Sequence, residues 1–155
     1  EQLLERYRKI ILNVSCDHIK DKLQFIRYPI DVNLFENNLE KYKSNINRIN
    51  LTVQILNIFD LDIIKNYYND FDVSTESYVG YPKFLSVRNL SDKYKKEVIN
   101  NYSNYEDRNK IFFTEINKSP MSVKKTFVDY MNSLSRHRKL DWTKLWSEDL
   151  IECMI

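Results

Sequence analysis

Apolar and polar positions along the chain alternate between two periods. Residues 10–14, Ile-Ile-Leu-Asn-Val, form a short, mostly apolar and β-branched run, as in a strand covered on both faces. It runs into Ser15-Cys16-Asp17, a polar end. Residues 51–56 read as a second strand that ends at Asn57, and residues 84–87, after Pro82, as a third extended segment. Between the first two lies a polar, irregular stretch over residues 17–28. Pro29 discourages helix at Tyr28, and Asp31 is then placed to cap a helix. Val32, Leu34, Phe35, Leu39 and Tyr42 keep helical spacing after it. Asp60 is placed to cap another helix through about Asn69, with Leu61, Ile64, Tyr67 and Tyr68 on one face. Strands alternating with helices at this pitch predict an α/β fold with a parallel sheet.

The second half reads as helical. Ser91 or Asp92 caps a helix through Asn101, and residues 104–117 hold another. Ser119 or Pro120 opens an amphipathic helix bearing Met121, Val123, Phe127, Val128, Met131 and Leu134. Residues 141–146 form a last short helix that docks Trp142 and Trp146 on the core. Residues 1–9 are charged, helix-compatible and lead into the first strand. The soft boundary between the halves falls near residues 72–80, dividing the chain into residues 1–80 and 81–155.

Composition narrows the chemistry. The 155 residues carry 24 basic and 22 acidic side chains, a net charge of +2, which gives no nucleic-acid or membrane footprint. Residues 136–139, Arg-His-Arg-Lys, read as a solvated basic run, and the 11 tyrosines as core and helix-face residues. The single glycine, Gly80, excludes a glycine-rich phosphate loop. The 2 cysteines, Cys16 and Cys153, make neither a zinc motif nor a disulfide framework, and free thiols suit a reducing, cytoplasmic setting. No run has the apolar length of a membrane span or a signal region. The chain opens at Glu1, as in a processed product or part of a longer protein.

Taken in order, residues 9–17 (Lys-Ile-Ile-Leu-Asn-Val-Ser-Cys-Asp), 25–29 (Phe-Ile-Arg-Tyr-Pro), 37–41 (Asn-Asn-Leu-Glu-Lys) and 52–57 (Thr-Val-Gln-Ile-Leu-Asn) resemble the second half of radical S-adenosylmethionine (SAM) enzymes. Residues 81–90 and 127–136, with Asp141-Trp142 beyond, resemble the passage into, and the closing helix of, the branch with a C-terminal twitch extension. The resemblance implies a fold: parallel β/α units of a partial TIM-like half barrel, then a helical C-terminal extension. It also implies two cofactors, S-adenosylmethionine and a [4Fe-4S] cluster held by a CxxxCxxC loop. The cleaved SAM would yield a 5′-deoxyadenosyl radical that abstracts hydrogen from a peptide or small-molecule substrate. The sequence departs from that pattern because it contains no CxxxCxxC. A cluster needs thiolate ligands, so a missing N-terminal half or partner subunit would have to supply them, and the chain would not do radical chemistry alone. The alternative is a non-catalytic binding or scaffold protein that keeps the half-barrel fold.

Within this resemblance, four residues are candidates for the SAM site. Ser15 implies a contact to the methionyl group; as a plain residue it caps the strand end. Arg27, 12 positions later, has the spacing of an arginine that pairs with the SAM carboxylate, which a guanidinium grips through two parallel hydrogen bonds. As a plain residue it is a surface arginine in a hook. Asp17 completes Ser-x-Asp, where relatives follow with glycine and this chain has His18; it contacts ligand or caps the turn. Asn57 implies contact with the nucleoside, or else caps the next helix. Gln54 and Thr52 share a strand face with a bearing on the same ligand. His18 and His137 lack sequence-adjacent partners and read as incidental.

Overall fold

A computed structural model describes residues 10–102, 110–146 and 149–154. Three strands form its sheet: β1 (Leu12–Ser15), β2 (Ile46–Val53) and β3 (Val73–Tyr78). All pairings are parallel and the spatial order is β1-β2-β3. The sheet therefore grows by one neighbour at each crossover, always in the same direction.

The crossovers are helical. Between β1 and β2 run α1 (Lys20–Ile26) and α2 (Val32–Lys41), and between β2 and β3 runs α3 (Leu61–Tyr67). Asp31 caps α2 as its position predicts, its carboxylate accepting from the Leu34 amide at 2.9 Å. Residues 17–28 are not irregular throughout, because α1 forms there without a side-chain cap. Burial of Leu23 and Phe25, both fully enclosed, holds it instead.

Two of the predicted strands move. Residues 84–87 are not a strand: they lie within two tight 3₁₀ turns, Lys83–Leu85 and Val87–Asn89. The third strand is β3, formed from the stretch that reads as a boundary. Its Val-Ser-Thr-Glu-Ser-Tyr sequence is polar because only one face of it is packed. The second strand begins and ends earlier than its apolar run. β2 stops at Val53, so Asn57 lies four residues past the strand in a turn. Its signal is alternation: Ile49, Leu51 and Val53 are buried, while Arg48, Asn50 and Thr52 between them are partly exposed.

That alternation extends across the sheet. Asn13 pairs with Arg48, Ser15 with Asn50, Asn50 with Ser74, and Thr52 with Ser77. Residues in register on adjacent strands share a face, so one face is a field of small polar groups. Asn13, Ser15, Glu76 and Ser77 on it are exposed. Arg48 crosses it to Asp72 at 3.1 Å and Glu76 at 3.6 Å. The opposite, apolar face joins the core with α1, α2 and α3, through Leu23, Leu39, Leu61 and Ile64.

The remaining helices are α4 (Asp92–Tyr102), α5 (Lys110–Ile116), α6 (Lys124–Arg138), α7 (Trp142–Leu145) and α8 (Asp149–Glu152). α4 matches its predicted span to within a residue. α5 covers the described part of the helix predicted over residues 104–117; residues 103–109 lie outside the described residues, as do residues 1–9. α6 begins at Lys124 and not at Ser119 or Pro120. The Asn89 carboxamide oxygen accepts from the Met121 amide at 3.0 Å, within an extended lead-in. Asp141 caps α7. Both tryptophans dock as predicted: Trp142 donates its indole hydrogen to Asn132 at 2.9 Å and Trp146 to the Leu56 carbonyl at 2.8 Å. The Trp146 bond joins the two halves, and the Leu85 carbonyl likewise accepts from the Ile55 amide at 2.9 Å.

Candidate functional site

The carboxyl end of β1 splits into two networks at adjacent residues, Asp17 and His18. Asp17 is buried, and one of its oxygens takes the Arg27 Nε–H at 2.5 Å. The other oxygen is enclosed and has no partner among the described residues. Arg27 caps the end of α1 and remains 40% exposed. Its terminal nitrogens have no hydrogen bond among the described residues. Ser15 lies two residues earlier, exposed on the polar face of the sheet.

Asn57 is spent on the backbone. Its amide nitrogen donates to the Asp17 carbonyl at 3.0 Å and the Thr52 carbonyl at 2.9 Å, and its oxygen accepts from the Gln54 amide at 2.9 Å. It is 1% exposed. Asn57 thus ties the end of β1 to the turn after β2 and has no donor left for a nucleoside. The turn needs such a clamp because β2 has ended and its backbone groups are out of the ladder.

His18 turns the other way, into the protein, and is 2% exposed. Its Nδ1 accepts from the Ile19 amide at 2.9 Å, so the ring hydrogen sits on Nε2, which donates to Asp60 Oδ2 at 2.9 Å. Lys22 Nζ donates to the same oxygen at 2.6 Å. Burial holds the His18 pKa below its ordinary value, although Asp60 pulls the other way. Burial alone would raise the Asp60 carboxyl, but the hydrogen bonds from His18 and Lys22 outweigh it and lower its pKa. Asp60 therefore does not cap α3 by its side chain. In sequence it resembles a cap and His18 looks isolated; they lie 42 residues apart, and only the pairing of β1 with β2 brings them together.

Asp60 and Lys22 border a cavity of 430 Å³ beside the turn that follows β2. Ile55, Leu56, Leu150 and Trp146 supply its buried apolar lining, and Phe59 and Tyr94 add two aromatic rings that meet edge to face. Lys22 Nζ stands 5.5 Å over the Trp146 ring. None of Ser15, Asp17, Arg27 and Asn57 lines this cavity.

Neither thiol is a ready ligand or nucleophile. Cys16 donates to the His18 carbonyl at 2.8 Å, and burial raises its pKa. Cys153 donates to the Leu150 carbonyl at 2.9 Å, and burial pushes its pKa up to about 12. Among the described residues no three His, Cys, Asp or Glu side chains converge as a metal site. No helix among them is long and apolar enough to cross a membrane.

Comparison of the chain with family models, with curated proteins and with solved structures finds no match.

Proposed function

We propose that this chain is the carboxyl-terminal part of a radical SAM enzyme: one wall of a partial TIM-like barrel followed by a helical twitch-like extension. One observation carries the reading. A parallel sheet is ordinarily covered on both faces, yet this one presents a polar face of Asn13, Ser15, Asn50, Ser74 and Ser77 opposite its helical layer. A barrel wall has that form when its inner face lines a ligand site. The one-directional strand order is the order of a barrel wall as well.

Ser15 and Arg27 fit the methionyl end of SAM. The Ser15 hydroxyl is exposed, and the Arg27 fork has free N–H groups beyond the Nε that Asp17 holds. Asp17 would orient that fork. Asn57 does not fit the nucleoside, because its amide is fully engaged. The cluster does not fit this chain: its 2 cysteines are buried and apart in sequence, so its thiolates would come from a missing N-terminal half or partner subunit. SAM bound at such a cluster would supply the hydrogen-abstracting radical. The chain's own part is to hold the methionyl group and line the substrate side, for a peptide or small molecule.

Those same buried thiols favour a second reading, a scaffold protein that keeps the half barrel without its chemistry. Titration with SAM, followed by the backbone amide NMR signals of residues 13–17 and 27, separates the two. The radical SAM reading expects those signals to move and Arg27→Ala to weaken binding at least tenfold. Unmoved signals at saturating SAM would leave the scaffold.

A further inference from the structure

The cavity beside Asp60 is independent of the polar sheet face and of the reading built on it. Its chemistry is one-sided. Asp60 Oδ2 already receives both His18 and Lys22, at 2.9 and 2.6 Å. Its Oδ1 has no partner among the described residues, and the side chain stays 19% exposed at the cavity wall. Glu97 lines the same cavity from α4, also with no hydrogen bond or ion pair among the described residues.

Two lysines share the lining. Lys22 is bound to Asp60, and Lys93 Nζ lies 4.9 Å from the centre of the Tyr94 ring. Carboxylates outnumber lysines in the lining, Asp60, Glu97 and Asp149 against Lys22 and Lys93, and the acceptors without a partner among the described residues are one oxygen of Asp60 and the carboxylate of Glu97. The body of the cavity is apolar and aromatic, through Trp146, Phe59, Tyr94 and Leu56. Its 430 Å³ is within the range of small-molecule pockets, about 300–1,000 Å³.

We infer that this cavity binds a small organic amine: an aromatic or apolar body packed against Trp146, Phe59 and Tyr94, with its ammonium donating to Asp60 and Glu97. An ionised carboxylate only accepts hydrogen bonds, so an anionic end group placed at Asp60 and Glu97 would meet repulsion. His18 acts as a positioning residue: it holds Oδ2 and so fixes where Oδ1 can point.

Three probes with the same ring and different ends test this: phenethylamine, phenylacetate and 2-phenylethanol. Each is titrated into the full chain while NMR follows the Trp146 indole N–H and the Asp60 and Tyr94 amides. Phenethylamine is expected to move these signals and to bind at least tenfold tighter than phenylacetate. Glu97→Gln and Asp60→Asn should each weaken it at least fivefold, and Phe59→Ala should weaken the neutral probe too. Should Asp60→Asn fail to fold, the exposed Glu97→Gln carries the test. Equal or tighter binding of phenylacetate overturns the proposal, as does the absence of shifts at Trp146 with phenethylamine. Shifts confined to Ser15 and Arg27 would overturn it as well, while leaving the SAM titration to be judged by itself.

Discussion

Asp17 and Asp60 are two partly or wholly buried carboxylates, each beside a strand end, and each is paired with a cation. They differ in how the pairing is built. Asp17 faces outward to an arginine that water also reaches, and its second oxygen is enclosed without a partner among the described residues. Asp60 faces inward, with two donors on one oxygen and the other oxygen unpaired among the described residues at a cavity wall. A buried unpaired oxygen costs stability, whereas an unpaired oxygen that solvent or a ligand can reach is a binding group. Both are Asp-plus-cation pairs, but only Asp60 borders a cavity.

The largest expected effect is at Asn57, which links the two networks. Asn57→Ala removes three hydrogen bonds and strands buried backbone groups at the end of β1 and the turn after β2. A loss of about 3 kcal/mol in urea unfolding is expected. A loss below about 0.5 kcal/mol would mean that water replaces the clamp and that the amide is free for other work.

The paired aspartates should part company next. Asp60→Asn weakens the acceptor for both the buried His18 N–H and Lys22, and about 2 kcal/mol is expected. Asp17→Asn should cost about 1 kcal/mol or less, because Arg27 is open to water. Equal losses at the two positions would erase the distinction between them.

The smallest effect is in the pH response. The folded-state pKa of His18 is below its ordinary 6.5, so the unfolded chain binds the extra proton first as pH falls. Its contribution is complete above 6.5 and is lost as pH drops toward the depressed folded value. Asp60, also depressed, adds a second loss below its ordinary 3.8. Urea midpoints should therefore fall between pH 7 and 5 in the native chain and fall less in His18→Gln. Identical slopes would remove His18 as the source.

Much of the local structure is legible from single positions. Asp31 caps α2, the helix over residues 92–102 follows its predicted span, and Trp142 and Trp146 dock as their size and spacing suggest. Each depends on neighbours a few residues away. β3 was hidden because a strand packed on one face carries Ser, Thr and Glu, which read as a boundary. Residues 84–87 misled in the opposite sense: their apolar side chains serve the core from tight turns, where burial and not extension is the constraint.

The site residues divide along the same line. Ser15, Asp17 and Arg27 are candidates through the resemblance, and of these Asp17 and Arg27 meet. His18 and Asp60 did not, since nothing near either one marks the other. The alternation of strands and helices and the cap at Asp31 were determined by the sequence itself, because propensity and periodicity act over a few residues. Which face of the sheet stays polar, which oxygen of Asp60 is left over and what surrounds it were decided only by the tertiary structure. Those features come from strand register and from packing across 40 to 90 residues, as the His18–Asp60 and Trp146–Leu56 bonds illustrate.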